Sequence, residues 1–139
     1  MGMVAVRTNR TRVLYVEDDR ASMLLMRHLF RKKFPEVVLL EAETSERGIE
    51  LAQSCGPSLI LMDIVLPGAD GYEGLDRLRN LQETAGIPVW AISALAMEED
   101  VQKALEAGFI RYIRKPLNVE DFARGIQTFF DEKNQGCLP

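Results

Sequence analysis

The fold class this sequence predicts is α/β: a doubly wound (βα)5 domain on a five-stranded parallel sheet. Two observations predict it. Apolar runs of strand length alternate five times with stretches of helical period, and the first, third and fourth runs are nearly continuous. Unbroken apolar strands mark a parallel sheet covered on both faces, and helices are what connect such strands.

The strands read in order as Val13-Leu14-Tyr15-Val16, Val37-Val38-Leu39-Leu40 and Leu59-Ile60-Leu61-Met62. Ile87-Pro88-Val89-Trp90-Ala91-Ile92 supplies the fourth, with Pro88 tolerable only near its start because it has no amide hydrogen for the ladder. Trp90 is expected in the core. Phe109-Ile110-Arg111-Tyr112-Ile113 is a short fifth strand whose polar alternation suits a sheet edge.

The first helix is expected from Ala21 to Lys33, capped by Asp18 or Asp19, with Leu25, Leu29 and Phe30 on one side and His28 at the surface or its boundary. Its basic end, Arg31-Lys32-Lys33, suits the negative pole of the helix dipole. The second, Ser45 to Gln53, stops at Cys55-Gly56-Pro57. The third, Gly71 to Gln82, follows Asp70, which with Glu73 resembles a capping box. The fourth, Met97 to Ala107, opens on Glu98-Glu99-Asp100 and ends at Gly108. The fifth, Val119 to Asp131, aligns Val119, Phe122, Ile126 and Phe129; Phe130 falls just off that stripe, as a boundary residue or an exposed anchor for a partner. The domain is expected over residues 11–133, with tails at 1–10 and 134–139 and no linker, repeat or output domain.

Composition narrows the function classes. With 139 residues the chain fits one domain that buries roughly 68% of its unfolded surface. Seventeen basic against 21 acidic side chains leave a formal charge of −4, which argues against direct nucleic-acid binding, since that needs a basic surface to displace counterions. No apolar run approaches the ~18 residues of a membrane span. A soluble, cytoplasmic protein is expected. Cys55 and Cys137 lie far apart and His28 is the lone histidine, so neither a disulfide framework nor a zinc site is expected, and metal chemistry must use oxygen ligands.

The chemistry-bearing residues fall where an open α/β sheet binds its ligands, beyond the carboxyl ends of the strands. Strand one runs into Glu17-Asp18-Asp19 and strand three into Asp63; strand four ends at Ser93, and strand five runs into Arg114-Lys115-Pro116. If strands one, three, four and five are neighbours, these groups converge on one rim. Carboxylates so close raise one another's pKa unless a cation joins them, and Mg²⁺ suits two or three carboxylates plus waters. An aspartate held there, with an ammonium and a hydroxyl opposite, is equipped to attack a phosphoryl group.

In that order and at those separations, VLYVEDD, LILMDIVLPGADGYE, VWAISA and RYIRKPL resemble the receiver domain of two-component response regulators. The resemblance implies a flavodoxin-like sheet of strand order 2-1-3-4-5. It also implies a signalling switch rather than a turnover enzyme, although one that assists its own phosphotransfer and autodephosphorylation. Asp63 would be the phosphoacceptor, served by the phosphohistidine of a sensor histidine kinase or histidine phosphotransfer protein. Asp18 would bind Mg²⁺ directly and Glu17 through water, with the Val65 backbone carbonyl as a further ligand. Ser93 would meet the phosphoryl oxygen in place of the commoner Thr. Lys115, before a cis bond to Pro116, would pair with Asp63 and then with the phosphate. Tyr112 would be the aromatic switch that turns inward when Ser93 moves. A downstream protein would bind the face made by helix four, strand five and helix five.

Three departures stand out. Val65 and Leu95, two residues beyond Asp63 and Ser93, are apolar where some relatives are polar, which implies a long-lived phosphorylated form. Phe109-Ile110-Arg111 lacks the acidic residues that often precede the switch tyrosine in winged-helix transcription factors. Ser93 lacks the threonine methyl and is rotationally freer. Alternative readings are a receiver fold acting purely as a protein–protein interaction module, or a receiver excised from a hybrid sensor kinase. Asp63-Ile64-Val65 has no second Asp for a phosphatase of the haloacid-dehalogenase type, and no glycine-rich loop follows strand one for a nucleotide.

Overall fold

The computed structural model describes residues 10–95 and 97–136, with side chains up to 134. The remainder of the expected tails, Cys137 included, lies outside the described residues. In chain order the elements are β1 (Arg12–Val16), α1 (Arg20–Lys33), β2 (Val38–Ala42), α2 (Ser45–Cys55), β3 (Leu59–Asp63), α3 (Gly71–Arg79), β4 (Val89–Ser93), α4 (Glu98–Ala107), β5 (Arg111–Arg114) and α5 (Val119–Gly136).

All strand pairs are parallel and the order is β2-β1-β3-β4-β5. Every residue of β3 and β4 is buried, whereas β2 and β5, the edges, are half-exposed. Side-chain alternation divides the core in two. Leu14, Val16, Ile60, Met62 and Ala91 face α2, α3 and α4, packing with Ile49, Leu75 and Ala104. Val13, Tyr15, Leu61, Trp90 and Ile92 face α1 and α5, packing with Met26, Phe30, Phe122 and Ile126. Each large apolar side chain fully buried in these layers contributes about 1.5–3 kcal/mol.

Local chemistry sets the helix ends. Asp19 caps α1, its carboxylate accepting from the Ser22 amide at 2.9 Å. Asp70 caps α3 through the Glu73 amide at 3.0 Å. The chain after α2 leaves through Gly56, at φ 58°, and after α4 through Gly108, at φ 119°.

Several boundaries and faces differ from expectation. Strand β4 starts at Val89, because Ile87 and Pro88 belong to the approach, where the Pro88 carbonyl already accepts from Ile60. Strand β2 runs on to Ala42 because Glu41 and Ala42 keep their pairing with Tyr15 and Val16. Helix α3 ends at Arg79 rather than Gln82: the Asn80 amide turns back on Asp76 and Arg77, and the buried Thr84 hydroxyl takes the Leu78 carbonyl at 2.6 Å. Helix α5 continues past Asp131 to Gly136, three residues into the stretch expected as the C-terminal tail. On α1, Leu25 is 42% exposed, and the buried stripe is Met23, Met26, Leu29 and Phe30. Phe130 is half-buried, edge-on to Phe34 at 5.9 Å, which is the boundary role and not that of an exposed anchor.

Candidate functional site

The strand order reverses direction between β1 and β3, so a crevice opens beyond their carboxyl ends. Glu17 follows β1 directly and Asp63 is the last residue of β3, which puts one carboxylate on each side of that crevice. Glu17, Asp18 and Asp63 each offer a carboxylate oxygen within 4.8 Å of the others. Glu17 is 1% exposed and Asp63 5%, whereas Asp18 faces solvent. Lys115, one residue past β5, reaches across to both buried acids: its Nζ lies 2.5 Å from Glu17 Oε1 and 3.1 Å from Asp63 Oδ2. The peptide bond between Lys115 and Pro116 is cis.

The two buried acids are held differently. Glu17 Oε1 accepts from the Tyr15 hydroxyl at 2.8 Å as well as from Lys115, and Oε2 accepts from the Asp19 amide at 3.1 Å. Asp63 Oδ1 accepts from the Val65 amide at 3.0 Å. Burial pushes Asp63 up to about 6, and the Glu17 carboxylate beside it pushes the same way, against the pull of Lys115. Burial pushes Glu17 upward too, yet its hydrogen bonds from Asp63, Lys115, the Asp19 amide and Tyr15 hold it below the ordinary value. Burial works against the Lys115 ammonium, but Glu17 and Asp63 together raise its pKa.

Ser93 is fully buried at the end of β4, one residue past Ile92, the register partner of Asp63. Its Oγ accepts from the Leu95 amide at 3.1 Å. The Tyr112 hydroxyl donates to the Leu95 carbonyl at 2.7 Å, so one loop residue joins the Ser93 and Tyr112 side chains. Val65 and Leu95 are 58% and 40% exposed, and they bring apolar side chains to the loops that follow Asp63 and Ser93.

The site residues read from the sequence thus lie at the same end of the sheet. Sequence reasoning missed three features: the Tyr15 hydroxyl on Glu17, the closer approach of Lys115 to Glu17 than to Asp63, and Leu95 as the link to Tyr112. The first had a signal, since residues two apart on a strand face the same side.

The donor set tests the fit to a metal. Three carboxylates and one ammonium leave the cluster with a formal charge of −2 (−3 + 1), and hard oxygen donors beside an exposed Asp18 suit a divalent ion that keeps part of its water shell. The residues present fit Mg²⁺.

Fold and rim together define the class, a phosphoacceptor α/β domain with an acidic crevice at its switch point. The family profile of the response regulator receiver domain matches residues 13–127, and the chain belongs to that family. It is 33% identical over 120 residues to the polar-differentiation response regulator DivK of Brucella ovis, covering 86% of this chain and 96% of that protein. Among solved structures it is similar to a CheY-like receiver domain protein from Methanospirillum hungatei, with a TM-score of 0.78 and 28% identity over 91% of this chain and 98% of that one. The fold is also that of the receiver domain of a sensor histidine kinase from Pseudomonas aeruginosa (TM-score 0.76, 24% identity, 85% and 95% covered), which carries a magnesium ion in its active-site cleft.

The protein is therefore a phosphoacceptor signalling switch of a two-component system, not an enzyme of the ordinary turnover kind. Receiver domains bind Mg²⁺ at an acidic pocket and work with histidine kinases or phosphotransfer proteins. Among the described residues no helix is long and apolar enough to cross a membrane.

Proposed function

We propose that Asp63 accepts the phosphoryl group, within a domain spanning residues 11–133 and acting in the cytoplasm. An oxygen of ionised Asp63 forms the new P–O bond as the P–N bond to the donor imidazole breaks, and the imidazole leaves with that bond pair. Lys115 then follows the charge from the carboxylate to the phosphoryl oxygens. Ser93 turns its hydroxyl to the phosphoryl group, which loosens its hold on the Leu95 amide, and Tyr112 moves with that loop. The downstream face is the surface of α4, β5 and α5. Asp18, Asp63 and the Val65 carbonyl would hold Mg²⁺, with Glu17 acting through water. The ion, when bound, supplies charge neutralisation for the transferring phosphoryl group.

The observation that carries this reading is the Lys115 ammonium placed between two buried carboxylates, 3.1 Å from Asp63. It supports the acceptor role because an aspartate beside a mobile positive charge keeps its counter-ion when its own charge becomes phosphate. Incubation with acetyl phosphate and Mg²⁺ tests it. An acid-stable, base- and hydroxylamine-labile adduct is expected, and it should be missing from Asp63→Asn. An adduct that persists in that variant would refute the assignment.

Autodephosphorylation is slow in this reading, because neither Val65 nor Leu95 can hydrogen-bond an attacking water. Introducing Val65→Asn together with Leu95→Glu should shorten the phosphoprotein lifetime roughly tenfold, about 1.4 kcal/mol of barrier. The decay of labelled phosphoprotein reads this directly, and an unchanged half-life would count against it.

A further inference from the structure

We propose that Tyr15 is a positioning residue of this site, its hydroxyl fixing the Glu17 carboxylate in the orientation from which it serves the bound cation. The inference rests on the reading that Glu17, Asp18 and Asp63 form the Mg²⁺ pocket.

Tyr15 is 1% exposed, and its ring packs in the layer between the sheet and helices α1 and α5. A buried phenol must place its hydroxyl against a partner, and here the partner is Glu17 Oε1 at 2.8 Å. That same oxygen meets Lys115 Nζ at 2.5 Å. A carboxylate oxygen has about two acceptor positions, so these two donors fill Oε1. Oε2 takes the Asp19 amide at 3.1 Å and, with Asp63 ionised, keeps one acceptor position. Glu17 therefore presents one oxygen for service at the rim, and Tyr15 selects which.

The hydroxyl has a second consequence. Lys115 is shared between Glu17 and Asp63, and a Glu17 oxygen that also accepts from Tyr15 holds the ammonium less tightly than one that does not. Without the hydroxyl, Lys115 would settle more firmly on Glu17, and the carboxylate would turn about one fewer fixed contact. Both changes disfavour a cation with strict octahedral geometry. Removing a partner of a metal's ligand typically costs 10–100-fold in affinity, and Tyr15, which acts through a carboxylate that reaches the ion by water, belongs at the low end of that range.

The test is calorimetric titration of Mg²⁺ into the unphosphorylated full chain. Tyr15→Phe keeps the ring and removes only the hydroxyl; its Mg²⁺ dissociation constant is expected to rise about tenfold. Made in a Glu17→Gln background, the same change should alter the constant by less than about twofold, because its effect runs through Glu17. A purely structural role would give equal losses in both backgrounds. An unchanged constant in Tyr15→Phe, or an equal loss in both backgrounds, overturns the proposal. Should Tyr15→Phe fail to fold, Tyr15→Met, which also fills apolar space without a hydroxyl, replaces it in both arms. A wild-type chain that takes up no Mg²⁺ overturns the pocket itself, an outcome distinct from wild-type binding that Tyr15→Phe leaves intact.

Discussion

Lys115→Met is expected to slow phosphorylation by acetyl phosphate by about 10²-fold or more, the usual cost of removing one donor to developing phosphoryl charge. The same change should destabilise the metal-free fold by about 2–4 kcal/mol at pH 8, because it strips the counter-charge from two buried carboxylates. Acid should relieve the loss. Lys115 is the group that pulls Asp63 down, so without it Asp63 moves further above the value of about 6. A folded carboxyl with a raised pKa binds a proton more readily than the unfolded chain does, so stability returns as pH falls through that value. Urea denaturation at pH 8 and at pH 5, without divalent ions, measures both arms. Equal destabilisation at the two pH values would show that Lys115 is not the counter-charge.

Asp63→Asn should abolish the adduct and also make the metal-free protein more stable near neutrality. Burial and Glu17 raise Asp63 from 3.8 to about 6. Its contribution to stability is therefore fully present below 3.8 and is lost as pH rises through about 6. At pH 8 the ionised side chain opposes folding by about 1–3 kcal/mol, and the neutral amide removes that opposition. The advantage of Asp63→Asn should shrink towards pH 4. It should shrink at pH 8 as well when Mg²⁺ is added, since ligand binding to the folded wild type stabilises it by mass action. Thermal or urea midpoints across pH, with and without Mg²⁺, test this. A variant less stable than wild type at pH 8 without metal would contradict it.

The architecture was legible because burial on both faces leaves β1, β3 and β4 as near-continuous apolar runs, although Val37-Val38-Leu39-Leu40 reads alike and lies at a half-exposed edge. Boundaries were less legible where a side chain is buried outside the ladder. Phe109 reads as strand, yet it packs beneath α3 and α4 and leaves Ile110 58% exposed, so β5 starts at Arg111. Leu25 reads as core beside Leu29, but the i, i+3, i+7 set of Met23, Met26 and Phe30 fixes which way α1 faces. The site was legible for a topological reason: Glu17, Asp63, Ser93 and Lys115 all lie at strand carboxyl ends, so strand order alone brings them to one rim. Which donor meets which oxygen was not legible, because that depends on side-chain reach. Lys115 lies closer to Glu17 than to Asp63, and Tyr15 ties strand to site through its last atom.

Gly71 opens α3 with its amide on the Ile64 carbonyl at 2.9 Å, and a Cβ there would stand 2.6 Å from the Asp63 carbonyl oxygen and 2.7 Å from Ile64 Cα. The main chain of the proposed acceptor is thus braced by bare backbone. Even a methyl group at 71 would register as a displaced nucleophile, so reactivity at this aspartate is tuned from eight positions downstream (71 − 63) by the smallest residue in the alphabet.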